Sequence, residues 1–405
     1  MGGSHARCLV MLEALAELGC EITLFGSTML SNTRWRVPGA ADFYRRLGIR
    51  VELHRLSPID FEVGRLLKRL YRPVWSRQLL TPLLPSPPGM KRRFEDLLGR
   101  LMPDVVWMNY ACWDDLLPAA VDGAGLRVVD THDLITTNMK MQRLLGREFG
   151  LARKAGGCNA GSHVLDEAFF AESDVQTCPA EFAIYDHYDC CIAISPKEGQ
   201  IIAQNTMKTI VKTIPVTCEP VAFGNEYNDI PIMVLGSHLF NLQGALYFAY
   251  RVLPRIIETL PSFRCRATGR VCHDRLIPRS PALTLEGFVP DLAPLYRRAR
   301  FALCPVFSGT GQQVKIVEAM AHGLAVVALS GGAQSSPIKH GLNGFIAKDA
   351  GEFAEYTLAL SNDPGMCRRM GECARETISD AYSRARLLED VWQVLHFPAR
   401  EALSC

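Results

Sequence analysis

Residues 308–332 read SGTGQQVKIVEAMAHGLAVVALSGG: a glycine-rich turn, a helical pattern, then the apolar run LAVVAL. Just upstream, residues 301–305 (FALCP) have the composition of a buried strand, so the order is strand, turn, helix, strand. The unsatisfied N–H groups and dipole at such a helix start form an anion site, suited to a diphosphate. Taking the helix from Gly311, residues Gly311, Lys315, Glu318 and His322 share one face at i, i+4, i+7 and i+11, while Val314, Val317 and Ala321 form the adjoining core face. Lys315 is placed to meet phosphate charge, and Glu318 to accept two ribose hydroxyls. A glycine-rich turn also serves close packing, and the alternative for Lys315 is a solvated helix surface.

Strand-like and helical patterns alternate on both sides of this segment, which points to α/β layers with parallel sheets. At 405 residues the chain suits two domains. The polar, turn-rich EPVAFGNEYNDI separates two series of elements, and we place a boundary there: residues 1–217, then 218–381. Residues 382–405, with YSRARLLEDVWQVL, have the period of an amphipathic helix. A doubly wound domain begins with a strand and a glycine-rich turn. Here Gly2, Gly3 and Ser4 make that turn at the very start, before a helix over 6–18; either the printed start is internal or a first strand has been lost, and we favour a mis-assigned start. The turn lies where an acceptor or phosphate would approach, although its glycines equally serve a tight turn alone.

Hydrophobic residues make up 48% and charged residues 21%, with a net charge of +2, so nothing in the charge balance argues for a nucleic-acid partner. Charge is uneven, however: between Val63 and Phe94 there is no Asp or Glu, but Arg65, Lys68, Arg69, Arg72, Arg77, Lys91, Arg92 and Arg93. Residues 65–93 are therefore expected to be a solvated basic face, to attract an anionic acceptor, or to touch an anionic membrane peripherally. The 14 cysteines include no C-x-x-C pair and many lie in apolar runs, so a reducing cytoplasm is expected, at most peripheral to the inner face of the membrane. No run of about 18 apolar residues could span a bilayer.

The string 309–323 resembles the retaining glycosyltransferases of family 4, in the subgroup reading G-T-G-x-x-x-K-x-x-E-A-M-A-x-G. Other segments resemble the family in order: GGSHARCLVMLEALAELG, VVDTHDL, CCIAISPKE, VLGSHLFNLQGALYFAYRVLPRI and HGLNGFIAKDAGEF. The resemblance implies the GT-B fold: two Rossmann-like α/β domains with parallel sheets facing across a cleft, and a C-terminal helix crossing back. It implies transfer of a sugar with retention, in surface-polysaccharide or glycoconjugate synthesis, to a glycan or lipid-linked acceptor. The nucleotide sugar is a substrate, and no cofactor is implied. His132 takes the place of the family's active-site histidine; the alternative is a turn cap with Asp133. Glu318 takes that of the ribose-binding glutamate, but the family's first glutamate is here Thr310, so the donor-sugar contact falls to Gly309, Thr310, Gly311 and Gln312 or to another group. His238 and Asn241 stand where many members carry Arg or Lys. Arg270, at a strand end, is a further candidate for the phosphate.

With no D-x-D in the sequence, phosphate charge falls to helix ends and Lys315, and no metal is expected. The alternatives are a nucleotide-sugar epimerase, a phosphorylase-like enzyme, or a catalytically silent binding protein on the same fold.

Overall fold

The computed structural model describes residues 3–28, 35, 37–55, 59–60, 62–63, 66, 86–118, 125–154, 162–171, 173, 175–221 and 224–397. Arg65, Lys68, Arg69, Arg72 and Arg77 of the basic stretch lie outside them, as does Gly2. Among the described residues no helix is long and apolar enough to cross a membrane.

The chain divides into two compact units. The first comprises Met1–Thr136, Thr177–Ile214 and Leu387–Cys405; the second comprises Thr137–Gln176 and Pro215–Arg386. Residues 137–176, expected in the N-terminal domain, thus belong to the second unit. The return to the first begins at Leu387 rather than 382.

In the first unit the elements run α1 (Gly3–Glu17), β1 (Thr23–Ser27), α2 (Ala40–Arg46), β2 (Arg50–His54), α3 (Pro88–Leu101), β3 (Val105–Asn109), β4 (Leu126–Asp130), the first two residues of α4 (Ile135–Lys154), α5 (Pro179–Tyr185), β5 (Cys190–Ala193), α6 (Pro196–Asn205) and β6 (Ile210–Thr213). Strands β1 and β2 pair in parallel as a sheet of their own, while β3, β4, β5 and β6 form a second parallel sheet in that order. The described strands of this unit thus form two parallel sheets. Gly3 and Ser4, expected in a turn, lie in the first turn of α1, because the helical pattern of residues 6–18 extends back through them.

Both faces of β5 are covered, and all four of its residues are buried, as a central parallel strand requires. One core joins α3, β3 and α5 through Phe94, Met108, Phe182 and Tyr185. On another, Met11 and Ala14 of α1 meet Val128, Cys190 and Ile192. Leu387, Val391 and Val394, from the last helix (Arg384–Leu395), pack into that same core at i, i+4 and i+7.

The second unit continues from α4 with β7 (Ile232–Val234) and α7 (Leu239–Tyr247), which runs through a π-helical turn at 248–252 into α8 (Leu253–Thr259). There follow β8 (Cys265–Thr268), β9 (Leu283–Gly287), α9 (Ala293–Arg298), β10 (Ala302–Cys304), α10 (Val314–Ala321), β11 (Val326–Leu329), α11 (Ser330–Ala333), β12 (Gly344–Ala347), α12 (Ala350–Asn362) and α13 (Pro364–Ala381). Six strands make one parallel sheet in the order β12-β11-β10-β7-β8-β9. The order in which strands are added reverses between β7 and β10, so the loops after these two strands flank the switch point, where open α/β sheets bind ligands. Glycines make this convergence possible. A Cβ at Gly269 would lie 1.6 Å from the carbonyl oxygen of Leu235, and one at Gly332 would lie 2.0 Å from that of Val306. No side chain larger than hydrogen fits either place.

Candidate active site

The loop from Pro305 to Gln313 joins β10 to α10. Gly309 has φ 126° and Gly311 φ 73°, so the chain turns sharply twice before the helix begins. The helix was expected from Gly311, but its positive φ breaks the helical run, and α10 starts at Val314. Lys315 therefore sits in the first helical turn, with Glu318 one turn further on. No side chain caps the helix start, although the Val314 and Ile316 amides donate to the carbonyls of Gln312 and Gln313, at 3.0 and 2.9 Å.

Around this turn, the Lys315 ammonium donates to Oδ1 of Asn241 in the first turn of α7, so the starts of two helices meet at one cation. Half-buried, Lys315 has its pKa lowered, since burial disfavours the charge, against the opposing pull of Cys304 and Glu318. Burial raises the Glu318 carboxyl, and Lys315 offsets this in part. The Glu318 carboxylate has no hydrogen-bond partner among the described residues. His322, on the same face, caps the helix end, with Nδ1 2.8 Å from the carbonyl oxygen of Glu318.

The loop is anchored from below. Ser308 Oγ donates to Oε1 of Gln243 at 2.5 Å, and Gln243 Nε2 donates to the carbonyl of Val164 at 2.7 Å. Gln312 is buried; its Oε1 accepts from the Val216 amide at 2.8 Å. Gln312 thus fixes the loop. Thr310 Oγ1 accepts from Nδ2 of Asn138 on α4 at 2.8 Å.

Arg270 lies apart from this loop in sequence. It follows Gly269 at the end of β8, and its guanidinium lies over the ring of Phe288, 5.4 Å from the centroid. The exposed Phe288 offers it a cation–π partner. Gly309, Thr310, Gly311, Gln312, Lys315 and Glu318 are brought together; Arg270 points to its own aromatic neighbour.

His132 belongs to the first unit, just past the end of β4, with φ 59°. Its ring stacks on Tyr110 at 4.3 Å with 14° between planes, and Tyr110 also has positive φ. Nε2 lies 3.0 Å from Oδ1 of Asn109, which also accepts from the Cys8 thiol at 3.2 Å. With Asn109 oriented this way, the proton is assigned to Nε2 and the lone pair to Nδ1, which is buried without a partner. Burial lowers the His132 pKa to about 4, Asp130 pulling up and Arg7 pushing down. The imidazole is neutral near pH 7.

Beside it, Arg7 Nε is bonded to both oxygens of Asp130, at 3.0 and 2.9 Å, in full burial. The two terminal nitrogens of Arg7 are buried without partners. Asp133 is raised to about 8 by burial and by the neighbouring Glu198 and Glu181. Among the described residues no three His, Cys, Asp or Glu side chains converge as a metal-binding group.

Sequence reasoning missed Arg7, Cys8, Asn109 and Tyr110 around His132. They come from α1 and β3, and only the pairing of β3 with β4 brings Asn109 level with Asp130. Asn138 and Gln142 were missed too, though two polar residues four apart in the apolar-spaced ITTNMKMQRLL were a signal.

Residues 230–363, about a third of the chain, match the family described as glycosyl transferases group 1. No curated protein matches the chain. Among solved structures, sucrose-phosphate synthase from Thermosynechococcus elongatus aligns with 16% identity and a TM-score of 0.64, over 100% of this chain and 94% of that one. HepE of Anabaena in complex with UDP aligns with 14% identity and a TM-score of 0.61, over 97% and 96%. TarM aligns with 14% identity and a TM-score of 0.55, over 75% of this chain, which spans 58% of TarM's length. At these identities the likeness establishes the fold, which is GT-B with Rossmann-like α/β units of parallel sheets. The match over 230–363 places the similarity to that family within the second unit.

Proposed function

We propose that the enzyme transfers a glycosyl group from a nucleoside-diphosphate sugar to a hydroxyl of a glycan or lipid-linked acceptor, with retention of anomeric configuration. One observation carries the donor assignment. At the switch point of the second sheet, an uncapped helix start carries Lys315 in its first turn and, one turn on, a Glu318 carboxylate with no hydrogen-bond partner among the described residues.

In this reading the diphosphate lies across the 309–312 loop and the N–H groups of α10, with Lys315 beside it. As the glycosidic bond breaks, electron density moves to the leaving phosphate oxygen. Fixed N–H dipoles and the ammonium oppose that charge without reorganising. Phosphate charge is met by these groups, without a metal. Glu318 accepts hydrogen bonds from the ribose. On the first unit, His132 remains the candidate catalytic histidine, a neutral imidazole held in place by Asn109 and Tyr110. That a relative, HepE, was solved with UDP-glucose supports a nucleotide-sugar donor.

The test is turnover of UDP-, GDP- and ADP-sugars, with and without acceptor, by wild type, Lys315→Ala and Glu318→Ala. Losses of about 100-fold are expected in Lys315→Ala, the scale seen when a single transition-state charge stabiliser is removed. Wild-type rates in both variants would overturn these roles. Isomerisation of the donor without acceptor would establish an epimerase instead.

A further inference from the structure

We propose that the second unit carries a further ligand site, an open groove where α7 and α8 meet the start of α12, and that it takes a small phosphorylated polyol such as a hexose phosphate through Arg251 and Arg255. The inference does not rest on the donor reading above.

The groove has a volume of about 460 Å³, within the range of small-molecule sites. Leu165, Tyr247 and Ala350 give it a buried floor. Tyr247, Arg251 and Arg255 follow one another at i, i+4 and i+8 through the π-helical turn at 248–252, and all three line it. The exposed Asp166, Glu167 and Asp349 complete the rim.

This groove backs onto the 305–313 loop without sharing a residue with it. The Tyr247 ring lies 5.0 Å from that of Phe307, with 53° between planes. Gln243, one turn before Tyr247, joins the Val164 carbonyl to Ser308. Neither Lys315 nor Glu318 lines any part of it. A ligand held here is therefore separable by mutation from one held at the start of α10.

Two arginines and three carboxylates favour neither sign by count; what differs is how far each group is already engaged. Asp349 caps α12, one oxygen accepting from the amides of Gly351 and Glu352 at 2.8 and 3.0 Å. Glu167 accepts from the Tyr247 hydroxyl, and Asp166 from the Ala168 amide at 2.8 Å. Arg255 gives one N–H to the Arg251 carbonyl at 2.5 Å and makes no ion pair among the described residues. Its remaining donors are thus the uncommitted groups of the groove. A planar guanidinium matches the oxygens of a phosphate, and arginine is favoured for that fit. Each carboxylate keeps a second oxygen, an acceptor for a polyol hydroxyl. The apolar floor suits the C–H face of a sugar ring. Phosphate at one end and hydroxyls at the other are the pattern this rim reads.

The test is calorimetric titration of wild type, Arg251→Ala, Arg255→Ala and Lys315→Ala. The probes are glucose 1-phosphate, glucose 6-phosphate, fructose 6-phosphate, mannose 6-phosphate, inorganic phosphate and glucose. Wild type is expected to bind at least one hexose phosphate, inorganic phosphate more weakly, and glucose not detectably. Arg255→Ala should bind that hexose phosphate about tenfold more weakly, the scale of one charge-assisted contact, and Arg251→Ala should weaken it as well. Both arginines are exposed, so their removal leaves the fold intact. Lys315→Ala should bind it as wild type does. Failure of every hexose phosphate to bind wild type would overturn the inference, as would undiminished affinity in Arg255→Ala. So would a loss in Lys315→Ala alone, which would put the ligand at the start of α10. Equal affinity for inorganic phosphate and the hexose phosphate would overturn the assigned ligand class.

Discussion

Lys315 and Glu318 were legible in the sequence because a helical motif fixes its own geometry: residues three apart share a face wherever the helix starts. His132 was legible only as a position. What makes it a neutral acceptor comes from Asn109, Tyr110 and burial, which depend on a neighbouring strand. The ring of Phe288 beside Arg270 was not legible, because it follows β9, a separate strand. The environment of His132 has a measurable consequence. Its folded pKa, about 4, lies below the 6.5 of a free imidazole. A depressed pKa stabilises the fold above the unfolded value and loses that contribution as pH falls through the folded one. Between pH 6.5 and 4, wild type should lose on the order of 3 kcal/mol relative to His132→Asn. Denaturant titrations of both proteins across this range check it; parallel curves would contradict it. Asp133 has the opposite sign. Its carboxyl is raised to about 8, so its contribution is present at acid pH and lost as pH rises toward 8. Asp133→Asn should therefore gain on wild type between pH 5 and 8 in the same assay.

Elements were easier to foresee than their ends. The strands LRVVD and CCIAIS were plain, being apolar runs bounded by turns. Strand β6 passed unnoticed, because TIVKT mixes polar and apolar residues at a sheet edge where all four paired positions are half-buried. Helix α4 was visible as a pattern, but nothing in it declared which unit it packs on. Its start depends on Glu181, a fully buried carboxylate that accepts from the amides of Ile135 and Thr136, each at 2.8 Å, and from the hydroxyl of Tyr185 at 2.6 Å. Glu181→Gln replaces an acceptor by a donor facing those amides and should cost about 2–4 kcal/mol, read as a lower midpoint in denaturant. Glycines give a paired expectation. Gly269→Ala, with φ 125° and a carbonyl 1.6 Å from the new carbon, should cost more than about 3 kcal/mol or prevent folding. Gly150→Ala, inside α4 with nothing within 4 Å, should instead raise stability by about 0.5–1 kcal/mol. Melting temperatures that move the same way for both would contradict this.

At the scale of the whole molecule, alternation of strands and helices was enough to read two α/β units. The excursion of residues 137–176 into the second unit was not legible, because it is decided by which apolar face α4 finds. The cores are separate as well, so ligand and stability effects should be local to a unit. Hydrogen exchange with a bound nucleoside diphosphate should slow the amides of 238–241 and 308–318 most, with β3–β6 little changed; protection confined to the first unit would contradict the donor assignment. The most direct measurement is calorimetric titration of wild type and Lys315→Ala with UDP, GDP and ADP. The account expects wild type to bind at least one of them and Lys315→Ala to bind it at least about tenfold more weakly, as loss of one charge-assisted contact implies. Equal affinity in the two proteins would mean that the start of α10 does not hold the diphosphate.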